Sequence, residues 1–196
     1  VSNVQLLADL RGATIGGTIP ANAFVLDVPA SAKRMKWFFV PPRPLPSNLF
    51  GQQPREFSFT SLEGPRLGEQ ELAGKISVLT WYHDHPACEA TLQQVSLARD
   101  RLKDDKAVAF YAVATDPTST SNQALKQRLS DWNVFLPIVR VLQAFGDKSF
   151  QITVQPTTVV LDKQLRVQIF QPGGNPQFAE QLVEIVQRLE RGDDLA

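Results

Sequence analysis

Apolar and polar positions change their spacing several times along this chain, and each change marks an element. Lys75–Trp81 is almost continuously apolar, the content of a strand in a buried sheet. From Pro86 to about Asp104 the spacing becomes helical, with Leu92, Val95, Ala98/Arg99 and Leu102 recurring and Pro86 suited to a first turn. Val108–Thr115 is another buried strand and closes at Asp116-Pro117. Ser121 or Asn122 then caps a helix that runs to about Asp131. Thr157–Asp162 and Val167–Phe170 flank Lys163-Gln164 as an antiparallel pair, and Phe57-Ser58-Phe59 alternates as a half-buried strand before a turn at Glu63-Gly64. A final helix, Pro176–Arg191, places Phe178, Leu182, Ile185, Val186 and Leu189 on one face and stops at Gly192. The order β-α-β-α-β-β-α predicts a mixed sheet with helices on both faces. The crossover rule lays helix 86–104 between parallel strands 75–81 and 108–115.

The upstream part reads differently. Pro41-Pro42-Arg43-Pro44-Leu45-Pro46 carries four prolines in six positions, which excludes helix and central strand and favours extended backbone. Before it, Val4–Leu10 reads as a short helix, and Phe24–Val28 and Met35–Val40 as strands. This piece is too small to bury a core of its own. The expected organisation is therefore an N-terminal β extension, or the tail of a truncated upstream domain, over 1–40. A proline-rich linker over 41–53 and an α/β domain over 54–196 follow.

Composition narrows the function classes only modestly. Of 196 residues, 43% are hydrophobic and 20% charged, enough for a real core, and the formal charge is zero. A balanced chain argues against nucleic-acid binding, and Lys33, Arg34 and Lys36 read as a solvated strand edge. No apolar run approaches the ~18 residues that a membrane span needs. Val1 reads as an internal cut or a processed end.

The chemistry concentrates at the strand-to-helix junction Trp81-Tyr82-His83-Asp84-His85-Pro86-Ala87-Cys88. Cys88 is the only cysteine, so this chain alone forms no intramolecular disulfide and runs no two-thiol cycle. A thiol near a helix N-terminus is favoured as thiolate, whereas apolar burial makes it a small inert hydrophobe. His83 and His85 are the only histidines. With Cys88 they form a set that copper or zinc would accept, and residues 83 and 85 of an extended loop point to the same side. A solvated loop is the plainer reading. His85 at the helix start is expected to be neutral and to hydrogen-bond. Trp132 and Phe135 pack a loop or rim a binding patch. No G-x-S-x-G element supports serine-type catalysis.

Several short signatures occur in a fixed order: Phe57-x-Phe59, Leu62-x-Gly64, Leu72-x-Gly74-Lys75, Trp81, Val113-x-x-Asp116, Gln155-Pro156-Thr157, Val160-Leu161-Asp162 and the pair Gly173-Gly174. Together they resemble the thioredoxin fold, specifically the TlpA/ResA-like redoxins related to AhpC/TSA peroxidases, over roughly 54–191. Phe24-Val25-Leu26-x-Val28-Pro29 with the proline linker also resembles fusions of a lipoprotein-carrier-like domain to such redoxins. In the resemblance the first cysteine of the C-x-x-C motif corresponds to His85 and the second to Cys88. The Trp before that first cysteine corresponds to Asp84, and the helix glutamate and proline to Thr91 and Gln93.

The resemblance implies a cis Gln155–Pro156 bond facing the motif loop, and a groove of Pro156, Gln155 and Trp81 able to take an extended peptide or protein segment. Three functions then stand side by side. The first is a degenerate thiol–disulfide oxidoreductase domain kept as a binding or structural module around His85, Cys88 and Pro156. The second is a single-cysteine peroxidase or mixed-disulfide enzyme, with Cys88 and His85 catalytic, Arg140 the candidate partner arginine, and an external thiol as resolver. The third is a copper- or zinc-binding module using His83, His85 and Cys88. Relatives of this type are commonly exported, so the resemblance also implies an extracytoplasmic location, periplasmic or membrane-anchored.

Overall fold

The structure, a computed structural model, describes residues 48–141 and 149–196, together with Thr18. The helix expected at Val4–Leu10, the strands at Phe24–Val28 and Met35–Val40, and the proline run lie outside the described residues. All described residues except Thr18 belong to one compact unit, Trp37–Ala196.

Seven strands and four helices follow one another: β1 (Ser58–Ser61), β2 (Leu67–Gly68), α1 (Glu69–Leu72), β3 (Ile76–Tyr82), α2 (Pro86–Arg101), β4 (Val108–Ala114), α3 (Asn122–Asp131), β5 (Ile138–Arg140), β6 (Thr157–Leu161), β7 (Val167–Pro172) and α4 (Phe178–Glu190). They build one sheet of order β2-β1-β5-β4-β3-β6-β7. Its centre is parallel, with β3 beside β4 and β4 beside β5. Its flanks are antiparallel. The parallel pair β3–β4 is joined through α2, which is the crossover expected from the sequence.

Every residue of β3 is buried, as its unbroken apolar run requires of a strand covered on both sides. Successive side chains alternate between two cores. Ile76, Val78 and Tyr82 meet Cys88, Leu92 and Val95 of α2, Leu125 and Leu129 of α3, and Phe178, Leu182 and Val186 of α4. Leu79 and Trp81 meet Phe59, Leu72, Phe150 and Ile152 on the other side. The buried hydroxyls of Thr80 and Thr158, opposite each other in register, hydrogen-bond at 3.0 Å.

Some expectations need correction. The short strands β2 and β5 and the single-turn α1 carry too few residues to show a period, and pairing with β1 and β4 creates the strands. Helices do not cover the two faces equally: α2, α3 and α4 all feed the first core, and among the described residues only α1 supplies the second. Aromatic chain segments close that second face instead, with Trp81 and Phe150 ring centroids 4.8 Å apart and Phe57 and Phe150 4.9 Å apart. Helix α2 ends at Arg101, and α4 starts at Phe178, two residues after Pro176. Gly192, at φ +89°, stops α4 where the sequence places the stop.

Candidate functional site

The junction between β3 and α2 lies at the C-terminal end of the parallel strands, and three elements meet there. β3 delivers Tyr82 and His83, α2 begins at Pro86, and the segment before β6 brings Gln155 and Pro156, whose peptide bond is cis.

His85 is the N-cap of α2. Its backbone is extended (φ −157°) and its Nδ1 accepts a hydrogen bond from the Ala87 N–H at 3.1 Å. Pro86 has no N–H, and the amides of Cys88 and Glu89 both donate to the His85 carbonyl. The first-turn donors are thus engaged locally, and none is left to stabilise a thiolate on Cys88.

Cys88 faces inward. It is 0% exposed and sits in the first core with Leu92, Val95 and Tyr82. Burial pushes its thiol up to about 11, against a smaller downward pull from a hydrogen bond with the His83 backbone. Asp116 raises it further, and Arg128 lowers it. The thiol is protonated and shielded throughout the physiological range, the opposite of what nucleophilic cysteine chemistry demands.

His83 is held by a network that the sequence does not reveal. Its Nδ1 lies 2.5 Å from Gln155 Oε1. Gln155 Nε2 donates to Thr115 Oγ1 at 2.8 Å, and the Thr115 hydroxyl donates to the Tyr82 carbonyl at 3.0 Å. With Gln155 Oε1 facing it, Nδ1 carries the proton. The chain of bonds then runs donor to acceptor from His83 through Gln155 and Thr115 back to β3. The same Nδ1 is 3.9 Å from Cys88 Sγ. Because its proton points to Gln155, that nitrogen does not serve as a base for the thiol.

A second polar group closes the site from the α3 side. Arg128 holds Asp116 through a guanidinium nitrogen at 2.8 and 2.9 Å from the two carboxylate oxygens, both residues being largely buried. Its other terminal nitrogen lies 3.7 Å from Asp84. Tyr82 is fully buried against Trp132, ring centroids 6.1 Å apart, and burial pushes its phenol far above its usual range.

The residues singled out from the sequence sort themselves by position. His83, His85, Cys88, Gln155 and Pro156 gather at one junction. Trp81 does not line a groove: it is 1% exposed, because residue 81 of an alternating strand faces the second core. Arg140 is not beside the thiol. It donates to Asn122 Oδ1 and the Pro117 carbonyl, and Arg128 is the cation that acts on Cys88. The metal trio is not assembled either: among the described residues no group of three His, Cys, Asp or Glu side chains is placed to hold an ion. His83 Nδ1 is turned to Gln155, His85 Nδ1 to Ala87, and Cys88 is buried as a thiol. Sequence reasoning misses Thr115 and Arg128, whose roles depend on partners far away in the chain; only the Val113-x-x-Asp116 signature points near them.

The chain matches no protein-family model, and no curated protein matches it in sequence. Solved structures do resemble it. StoA from Bacillus subtilis superposes with a TM-score of 0.54 at 21% identity, covering 67% of this chain and 96% of that one. The thioredoxin domain of a thiol-disulfide oxidoreductase from Bacteroides vulgatus gives 0.58 at 16%, covering 71% and 99%. A thioredoxin-family thiol:disulfide interchange protein from Chlorobium tepidum gives 0.55 at 18%, covering 76% and 99%. These likenesses show the fold: it is thioredoxin-like, of the kind found in thiol:disulfide interchange proteins.

Proposed function

We propose that this domain is a thioredoxin-fold module whose dithiol chemistry has been replaced by a locked binding surface. The observation that carries the reading is the fate of Cys88, buried at 0% exposure with its thiol pushed up to about 11 and no second cysteine anywhere in the chain. The position that resembles the attacking cysteine is His85, and it serves as a helix cap. Peroxide reduction or mixed-disulfide chemistry would need this same sulfur exposed and ionised.

What remains at the surface is a short extended edge. Val154 is 45% exposed, and among the described residues the Gln155 backbone N–H and C=O make no hydrogen bond. Such an edge pairs with an extended peptide through main-chain hydrogen bonds. His83 and Thr115 fix Gln155 from behind, so the edge is ordered before a ligand arrives. An exported or membrane-tethered setting, in line with the family resemblance, belongs to the same proposal.

Selection of unbiased extended peptides on the native protein tests it, with amide exchange as readout. Binders that protect the amides of Val154 and Gln155, and that weaken in His83→Ala, support the reading. Binders that protect other surfaces, or an absence of binders, contradict it. A parallel insulin-reduction assay should show no turnover.

A further inference from the structure

The two histidines of the junction use the same ring atom in opposite senses. His83 Nδ1 faces Gln155 Oε1, an acceptor, and so carries its proton. His85 Nδ1 faces the Ala87 N–H, a donor, and so carries none. The neighbouring rings, centroids 5.7 Å apart, are thereby fixed as opposite tautomers, with the proton of His85 on Nε2. Acid then acts on them differently. A doubly protonated ring donates from both nitrogens, so His83 keeps its bond to Gln155, whereas His85 loses the atom with which it holds Ala87.

No other group takes over that amide. Pro86 brings no N–H, the amides of Cys88 and Glu89 already share the His85 carbonyl, and among the described residues Ala87 N–H has no second acceptor. A protonated ring at this place also stands at the positive end of a helix of 16 residues. The surrounding charges are mixed. Asp84 beside it in the chain, Glu89 one turn along α2 and Asp116 just after β4 favour a cation; His83 and Arg128 of α3 oppose one. The Asp84 carboxylate, 73% exposed and 3.7 Å from Arg128, is an acceptor to which the freed ring can turn. His85 is itself exposed, so it takes up a proton from solvent without the fold opening.

We propose that His85 is a pH-sensitive latch: the neutral ring closes the first turn of α2 beside the Gln155 edge, and the protonated ring opens it. The change is local. Cys88 stays in the core with Leu92 and Val95, and His83 still holds Gln155, so one wall of the edge loosens while the other stands. A looser wall is ordered only when a peptide binds, which weakens binding. That effect on peptides rests on the function proposed above; the latch itself does not.

Nuclear magnetic resonance of the protein without any peptide tests it. At about pH 8 the ring nitrogens should show the proton of His85 on Nε2 and that of His83 on Nδ1. On acidification to about pH 5, protection of the Ala87 amide, corrected for its intrinsic exchange, should fall about fivefold in step with the protonation of His85. In His85→Asn, Oδ1 takes the place of Nδ1 and does not titrate, so Ala87 should stay protected at both pH values. A proton on His85 Nδ1 at the higher pH, Ala87 protection indifferent to acid, or an equal acid loss in His85→Asn would overturn the latch. Peptides that bind the Gln155 edge should weaken about threefold over the same acidification, and His85→Asn should abolish that response. An equal response in both proteins would overturn the control of the edge by the latch. A lack of binders would contradict the function proposed above, while the exchange of Ala87 would still decide the latch.

Discussion

Cys88 shows how one side chain decides between chemistry and packing. The folded thiol keeps its proton to about pH 11, whereas a thiol in the unfolded chain releases it near pH 9. The folded-state value is raised, so the stabilisation is whole below pH 9 and is lost as pH rises through 11; its size is on the order of 2–3 kcal/mol. The penalty of Cys88→Ala, measured by denaturant unfolding, should therefore shrink by about that much between pH 7 and pH 11. A penalty independent of pH would mean that the thiol is ionised alike in both states. His83→Ala removes the donor to the Gln155 side chain and should cost about 1–2 kcal/mol in denaturant unfolding. The position of Cys88 in the motif is legible from sequence, but its burial is not, because a cysteine one turn into a helix faces either water or core according to how the helix is rotated.

At the scale of elements, α2 carries the most information. His85 caps the helix with an imidazole nitrogen, so His85→Ala should destabilise the protein by about 1 kcal/mol in thermal unfolding. His85→Ser, which supplies another cap acceptor, should recover most of the loss; equal losses in both variants would show that the ring acts through packing. Strands β3, β4 and β6 and helices α2, α3 and α4 can be read from apolar spacing because each is long enough to show a period. β2 and β5 have two and three residues, and they exist through pairing with neighbours distant in sequence. The same distance hides the His83–Gln155 bond, which spans 72 positions.

For the whole molecule, the mixed sheet with its motif at the C-terminal end of parallel strands follows from the order of elements and the crossover rule. The division of labour between the two faces does not. The resemblance places Trp81 at the groove, yet it lies in an aromatic core with Phe59 and Phe150, because strand alternation sends residues 81 and 82 to opposite sides. That core predicts where global stability resides. Phe150→Ala should cost about 3–5 kcal/mol with no change in the environment of Cys88, which belongs to the other core. A matching change in Cys88 reactivity would show that the two faces open together.

Across all three scales, a thioredoxin-like fold withdraws the chain's one cysteine from solvent and keeps it protonated. The decisive experiment is the rate of Cys88 alkylation in the native protein as pH is raised, with the denatured protein as reference. A shielded, protonated thiol should give a native rate far below the denatured one at every pH up to about 10, with reaction appearing only as the fold opens. Rapid native alkylation with a midpoint below the ordinary thiol value would mean an exposed, activated thiolate and would contradict that withdrawal.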